Sequence, residues 1–154
     1  MPVPISHGAS EISNGDELVN SYKVLISKLA AEHAGEPDND GRFRVFTKSL
    51  RVIGPGDVCT HSYFVIGNCK TKGEAEHINA YLKTSFVRFL VMLAMSSINL
   101  SKHVFPFVPL QDFTSMSDID WSRPVPEIDA QLYAKYGITK TEQKFIESMI
   151  KPME

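Results

Sequence analysis

Residues 60–95 read THSYFVIGNCKTKGEAEHINAYLKTSFVRFLVMLAM, and this stretch decides the fold. Thr60 to Ile66 is a short β-prone run that ends at Gly67, so it reads as a strand. Thr71 and Glu74 then stand at capping-box spacing, with a hydroxyl and a carboxylate able to satisfy free backbone N–H groups at a helix start. Behind them Ala75, Ile78, Leu82, Phe86, Phe89 and Leu93 recur at intervals of three and four, the spacing of one helix face. Beyond Ser85 nearly every position is apolar except Arg88. The pattern predicts one long helix whose second half is deeply buried.

Upstream, Tyr22 to Ser27 (YKVLIS) is a near-continuous apolar run of strand length. Residues 35–41 (GEPDNDG) are a dense loop cluster, and Arg42 to Ile53 alternates imperfectly before Gly54-Pro55-Gly56 breaks it. The first twenty residues read as an irregular lead-in. Downstream, Ser96 to Lys102 is a polar break, and Val104 to Val108 is expected to be a last short strand with Pro106 and Pro109 at an edge. Residues 111–126 are an acidic connector around Trp121. Glu127 to Tyr136 reads as a helix stopped at Gly137, and Thr139 with Glu142 opens a final helix that Pro152 ends. The expected fold is therefore α+β (mixed α/β): a small β-sheet packed on one long helix, with a C-terminal helical tail. Residues 1–110 form the core with its lead-in, and residues 111–154 the connector and tail, in a single domain.

At 154 residues the chain suits one domain with a real core, and 43% hydrophobic with 22% charged residues is ordinary for a globular protein. The most apolar run, Phe86 to Met95, falls well short of the roughly 18 residues a membrane span needs. No basic-then-apolar leader is read at the N-terminus, and two cysteines make no disulfide framework, so a cytoplasmic location without membrane association is expected. The net charge of -2 conceals a segregation: residues 1–41 carry -5, residues 42–105 carry +6 and residues 106–154 carry -3. A basic middle between acidic flanks can build a local positive face for phosphates, although charge runs are more often simply solvated.

Catalytic constellations are sparse. The chain has no adjacent prolines of the kind that hold a flipped adenine, and Gly54-Pro55-Gly56 precedes a strand rather than a helix. Glu127 with Glu142-Gln143-Lys144 imitates a nuclease's acid and acid-x-Lys spacing, but on tail helices rather than adjacent strands. Cys59, His61, Cys69 and His77 can be drawn as a zinc set, without the tight Cys knuckle that structural sites carry. No catalytic residue and no metal site is assigned.

Several segments, in order, resemble one family: Tyr22–Lys28 (YKVLISK), Cys59–Gly67 (CTHSYFVIG), Tyr81–Leu90 (YLKTSFVRFL) and Val104–Phe113 (VFPFVPLQDF), followed in the tail by Asp118–Trp121 (DIDW), Leu132–Gly137 (LYAKYG) and Phe145–Ile150 (FIESMI). Over roughly residues 20–152 the chain resembles the C-terminal end of the large type II restriction–modification adenine methyltransferases, some of them fused to an endonuclease. A wider likeness runs to the target-recognition domains of type I specificity subunits. The resemblance implies a region that reads double-stranded DNA while a separate domain transfers a methyl group from S-adenosylmethionine. The methyltransferase portion that normally precedes such a tail is not in this sequence. A truncated product, a separate subunit and a fragment all fit, with a methyltransferase or endonuclease domain or subunit as partner.

On that reading Arg42, Arg44, Lys48, Arg51, Lys83, Arg88 and Lys102 are candidates for phosphates and guanine edges, Asn99 and His103 for base edges, Tyr63 for sugar or base packing, and Thr84 and Ser101 for phosphate. Each has a plainer alternative. Arg88 among apolar neighbours suits a helix-terminus contact or an ion pair, Tyr63 and Tyr81 suit packing, Trp121 suits an anchor for the tail, and the lysines suit solvent. The rival functions are a protein-docking module of a restriction–modification complex, built on the tail helices, and a small metal-dependent nuclease.

Overall fold

The structure, a computed structural model, describes residues 15–31, 36–96 and 99–153. Parts of the expected lead-in (1–14), of the loop cluster (residue 35) and of the polar break (97–98) lie outside the described residues. Three strands form an antiparallel sheet in the order β2-β1-β3: β1 is Tyr22–Ser27, β2 is Arg51–Ile53 and β3 is Tyr63–Cys69. The central strand pairs Leu25 with Arg51 on one side and with Val65 on the other, and its residues Lys23 to Ile26 are buried on both faces, in keeping with the near-continuous apolar run. Between Val24↔Ile66 and Tyr22↔Cys69 the register slips by one residue, and Gly67 sits at this bulge with φ +95°. A Cβ there would lie 3.0 Å from Ile78 Cδ1 and 3.2 Å from Cys69 Sγ, so glycine serves both the turn and the close approach of the helix.

The expected single helix is two. Helix α1 (Lys72–Lys83) and helix α2 (Ser85–Ala94) meet at Thr84, whose ψ of 149° is extended. The apolar periodicity continues across the break, which is why the sequence alone reads as one element. What separates the helices is capping. Thr84 Oγ1 accepts from Val87 N (3.2 Å) and donates to Tyr81 O (2.6 Å), while Ser85 N and Phe86 N both donate to the Asp129 carboxylate at 2.8 and 2.9 Å. Three of the N–H groups at the start of α2 are thus satisfied from side chains, two of them by Asp129, which lies 44 and 43 residues further along the chain.

Two further expectations are corrected. Arg42 to Ile53 is not a continuous strand: only Arg51–Ile53 pairs with β1, and Val45, with φ +70°, forms a γ-turn closed by Phe46 N to Arg44 O at 2.9 Å. The Val104 to Val108 segment is a 3-10 helix, Lys102–Phe107, with Pro106 inside it rather than at a sheet edge. Helix α3 (Val125–Lys135) and helix α4 (Lys140–Met149) form the tail, with Gly137 at φ +65° between them and a reciprocal Thr139–Glu142 capping box opening α4.

Helix α1 packs against all three strands, and α2 packs against α1, α3, α4 and the 3-10 helix. The core combines Val24, Ile26 and Phe64 of the sheet with Ile78, Leu82, Phe86, Val87 and Val91 of the helices and Ile128, Leu132 and Ile146 of the tail. Trp121 anchors the connector: it is buried, it meets Tyr81 edge-on, and its Nε1 donates to Asp112 O at 2.9 Å. Arg88 is 0% exposed, and its guanidinium donates to Lys83 O (3.0 Å), Thr84 O (3.3 Å), Arg44 O (3.3 Å) and Lys151 O (2.6 Å). One cation thereby ties the end of α1, the γ-turn and the C-terminal segment, while Phe43 N to Met149 O and Lys151 N to Phe43 O pin the chain end beside it.

Candidate nucleic-acid interface

The helices cover one face of the sheet through Val24, Ile26 and Phe64. Alternation along a strand puts Leu25, Tyr63 and Val65 on the opposite face. Over the β1–β3 side of that face runs an open groove of about 910 Å³. One wall is the loop from Asp57 to His61. Another is the segment Leu100 to His103, and Lys28 lies at the end of β1 between them. Leu100 N donates to Lys28 O at 2.7 Å, and Leu29 bridges Asn99 antiparallel. The 99–103 segment therefore lies along β1 beyond the end of β2.

Of the twelve candidate residues, four come together here: Tyr63, Ser101, Lys102 and His103. Tyr63 is half-buried, and the other three are exposed. Asn99, exposed and engaged by the bridge to Leu29, stands beside the groove without lining it. The groove also contains residues that the sequence did not mark as DNA contacts. His61 is exposed near the tip of a turn closed by Tyr63 N to Thr60 O (3.1 Å) and held to β1 by Lys28 N to Ser62 O (3.0 Å). Lys28 is exposed, and among the described residues neither Lys28 nor Lys102 has an ion-pair partner. For DNA contact, the sequence signal of Lys28 and His61 was position: a lysine closing the YKVLIS run and a histidine opening the next strand.

The other candidates lie elsewhere. Arg42 donates from Nε and Nη2 to Asp40 Oδ2 at 3.1 and 2.8 Å, in a network where Lys151 also meets Asp38 at 2.6 Å. Its charge is matched within the fold by Asp40, and of the basic candidates Lys102 alone lines the groove. Arg44 and Lys83 are half-buried, and their carbonyls hold Arg88. Lys48 is exposed outside the groove, and Arg51 is half-buried on the far strand β2. Thr84 is corrected outright: it is 0% exposed and its hydroxyl is spent on capping, so it cannot reach a phosphate.

The electrostatics of the groove are mixed. Lys28, Lys102 and Lys23 face Glu17 and Asp57. The Lys23 ammonium is held below its ordinary pKa by burial, with Asp57 and Cys59 acting in the opposite sense. Burial of its thiol likewise pushes Cys59 up, against the pull of Lys28 and Lys23. The four-residue zinc set does not converge: Cys59 and His61 line the groove, whereas Cys69 is buried near Gly67 and His77 Nδ1 bonds Phe113 O at 2.7 Å. The acid-x-Lys imitation is also occupied structurally, with Glu127 on Arg123 (2.7 Å) and Glu142 on Thr139 N (2.7 Å).

What the arrangement offers is a wall of donors over a half-buried aromatic. Two lysines without an ion-pair partner among the described residues, two imidazoles able to donate or accept, and two hydroxyls from Thr60 and Ser101 all line the same groove. No family model, no curated protein and no solved structure matches the chain.

Proposed function

We propose that this chain is the sequence-reading part of a restriction–modification adenine methyltransferase or type II restriction enzyme, and that it holds double-stranded DNA in the groove between residues 57–61 and 99–103. The observation that carries the reading is the gathering of Lys28, His61, Tyr63, Ser101, Lys102 and His103 at one groove from three separate parts of the chain. Lys28, Lys102 and the Ser101 hydroxyl suit phosphate oxygens, which position a duplex. His61, His103 and the neighbouring Asn99 suit base edges, which specify it. The resemblance of seven ordered segments to the C-terminal region of such enzymes supports the same assignment. Methyl transfer and S-adenosylmethionine belong, on this reading, to the partner domain or subunit.

Selection of bound duplexes from a random pool tests the proposal. A shared sequence is expected among the survivors, and replacing His103 or Asn99 by Ala is expected to relax preference by about 1–3 kcal/mol at a single position. A pool that stays random after repeated selection by folded protein would contradict sequence reading.

A docking role is favoured by a separate observation. Leu93 is 64% and Phe145 57% exposed, and Phe145 meets the ring of Phe89 edge-on at 5.9 Å, leaving an apolar surface where α2 and α4 adjoin. This surface is formed by the helices, on the other side of the sheet from the groove, so the two roles are compatible in one molecule.

A further inference from the structure

Lys23 lines the groove as Lys28 and Lys102 do, and a census of charge would count it as a third phosphate ligand. Its surroundings say otherwise. The residue is 2% exposed, and its ammonium donates to Ser21 O (3.2 Å), Gly54 O (3.2 Å) and Val19 O (3.4 Å). An ammonium has three N–H donors, and here three carbonyls accept them.

Those carbonyls come from two pieces of chain: the turn at residues 19–21, between the 3-10 helix Asp16–Leu18 and β1, and the β2–β3 loop at Gly54. The same pieces are joined by Gly56 N to Val19 O at 2.8 Å. The loop itself is folded by Gly54 N to Asp57 Oδ2 (2.8 Å) and Asp57 N to Gly54 O (3.2 Å), around Gly56 at φ +86°. The 57–61 wall leaves this knot at Asp57, while its far end, past His61, is held to β1 by Lys28 N to Ser62 O.

We infer that Lys23 is a positioning residue of the groove: its ammonium, fully engaged by backbone carbonyls, fixes the Gly54–Asp57 turn and so places the 57–61 wall, without itself touching phosphate. The inference rests on reading the groove as a DNA interface. It adds that one of the lysines there acts on affinity through geometry alone.

The test is Lys23→Met in the full chain, with folding checked by a cooperative melt, titrated against a mixed-sequence duplex over a range of salt. The expected result is about tenfold weaker binding with an unchanged log–log salt slope, because a preorganised wall is lost and no phosphate contact goes with it. Lys102→Met, the control, is expected to make the slope shallower by about 0.9. A slope change of that size in Lys23→Met would make it a direct phosphate ligand and overturn the inference, as would binding at native strength. If Lys23→Met fails to fold, Gly56→Ala perturbs the same turn without altering charge, since its Cβ would meet nothing within 4 Å but its φ is left-handed. Gly56→Ala is expected to weaken binding at constant slope, and native affinity would overturn the inference. If the native chain does not bind DNA, the interface reading falls, and amide exchange decides the clamp by itself. Gly56 N–H should exchange faster in Lys23→Met, and unchanged protection would refute it.

Discussion

Replacing Arg88 by Met should destabilise the fold more than any change in the groove. Met keeps most of the aliphatic volume, so the loss is confined to the guanidinium. That group is 0% exposed and donates to four carbonyls, of Lys83, Thr84, Arg44 and Lys151. Two of these have other partners, because Thr84 O accepts Arg88 N (3.2 Å) and Arg44 O accepts Phe46 N (2.9 Å). The carbonyls of Lys83 and Lys151 bear most of the loss, each at about 1–3 kcal/mol for a buried acceptor left unsatisfied. Against that total of about 2–6 kcal/mol stands relief from burying a charge, so a net cost near 3 kcal/mol is expected. The figure is a large share of the roughly 5–15 kcal/mol a domain of this kind commands. Urea melts of native and R88M protein, compared at equal m, read it directly as a fall in midpoint of about 1–3 M. A midpoint unchanged or raised would show that the four bonds merely offset the desolvation of the guanidinium, and the view of Arg88 as the tie between three segments would fail.

Thr84→Val tests the correction at the helix junction. It removes the cap on Val87 N and the bond to Tyr81 O, and should cost about 1–2 kcal/mol in a thermal or urea melt while leaving DNA affinity of the folded protein unchanged. A loss of affinity at native stability would instead return Thr84 to the interface. Asp129 gives a pH signature. Burial raises its pKa, against the opposing pull of the Phe86 and Ser85 N–H groups and of Arg88. The folded state therefore holds that proton more tightly than the unfolded chain, and this residue's contribution to stability falls as pH rises from about 4 through its raised folded value. Subtracting the stability–pH curve of Asp129→Asn from that of the native protein should isolate this downward slope, and a flat or rising difference would contradict it.

The elements legible in the sequence were those set by local chemistry. Thr139–Glu142 and Gly137 announce the tail helices, and the YKVLIS run announces a central strand, because caps and burial leave their mark within a few residues. The break at Thr84 was hidden because its decisive partner, Asp129, lies 45 positions from Thr84, while the apolar period runs on undisturbed. The 3-10 helix at Lys102–Phe107 was hidden because its aromatic residues and prolines fit an edge strand equally well. At the candidate site the same division holds. Ser101, Lys102 and His103 were found together because they are consecutive. Lys28 and His61 were missed because only strand pairing brings them together, and Arg42 was overvalued because its match to Asp40 depends on a turn.

The most direct test of the interface is a titration of the folded chain against a labelled mixed-sequence duplex between about 50 and 200 mM salt, for the native protein, Lys28→Met, Lys102→Met and Lys48→Met. The groove reading predicts measurable binding at low salt that falls steeply as salt rises. It also predicts a slope shallower by about 0.9 for each of the two groove lysines, with no change for Lys48, which is exposed outside the groove. Absence of binding at the lowest salt, or an effect of Lys48→Met equal to that of Lys102→Met, would contradict it.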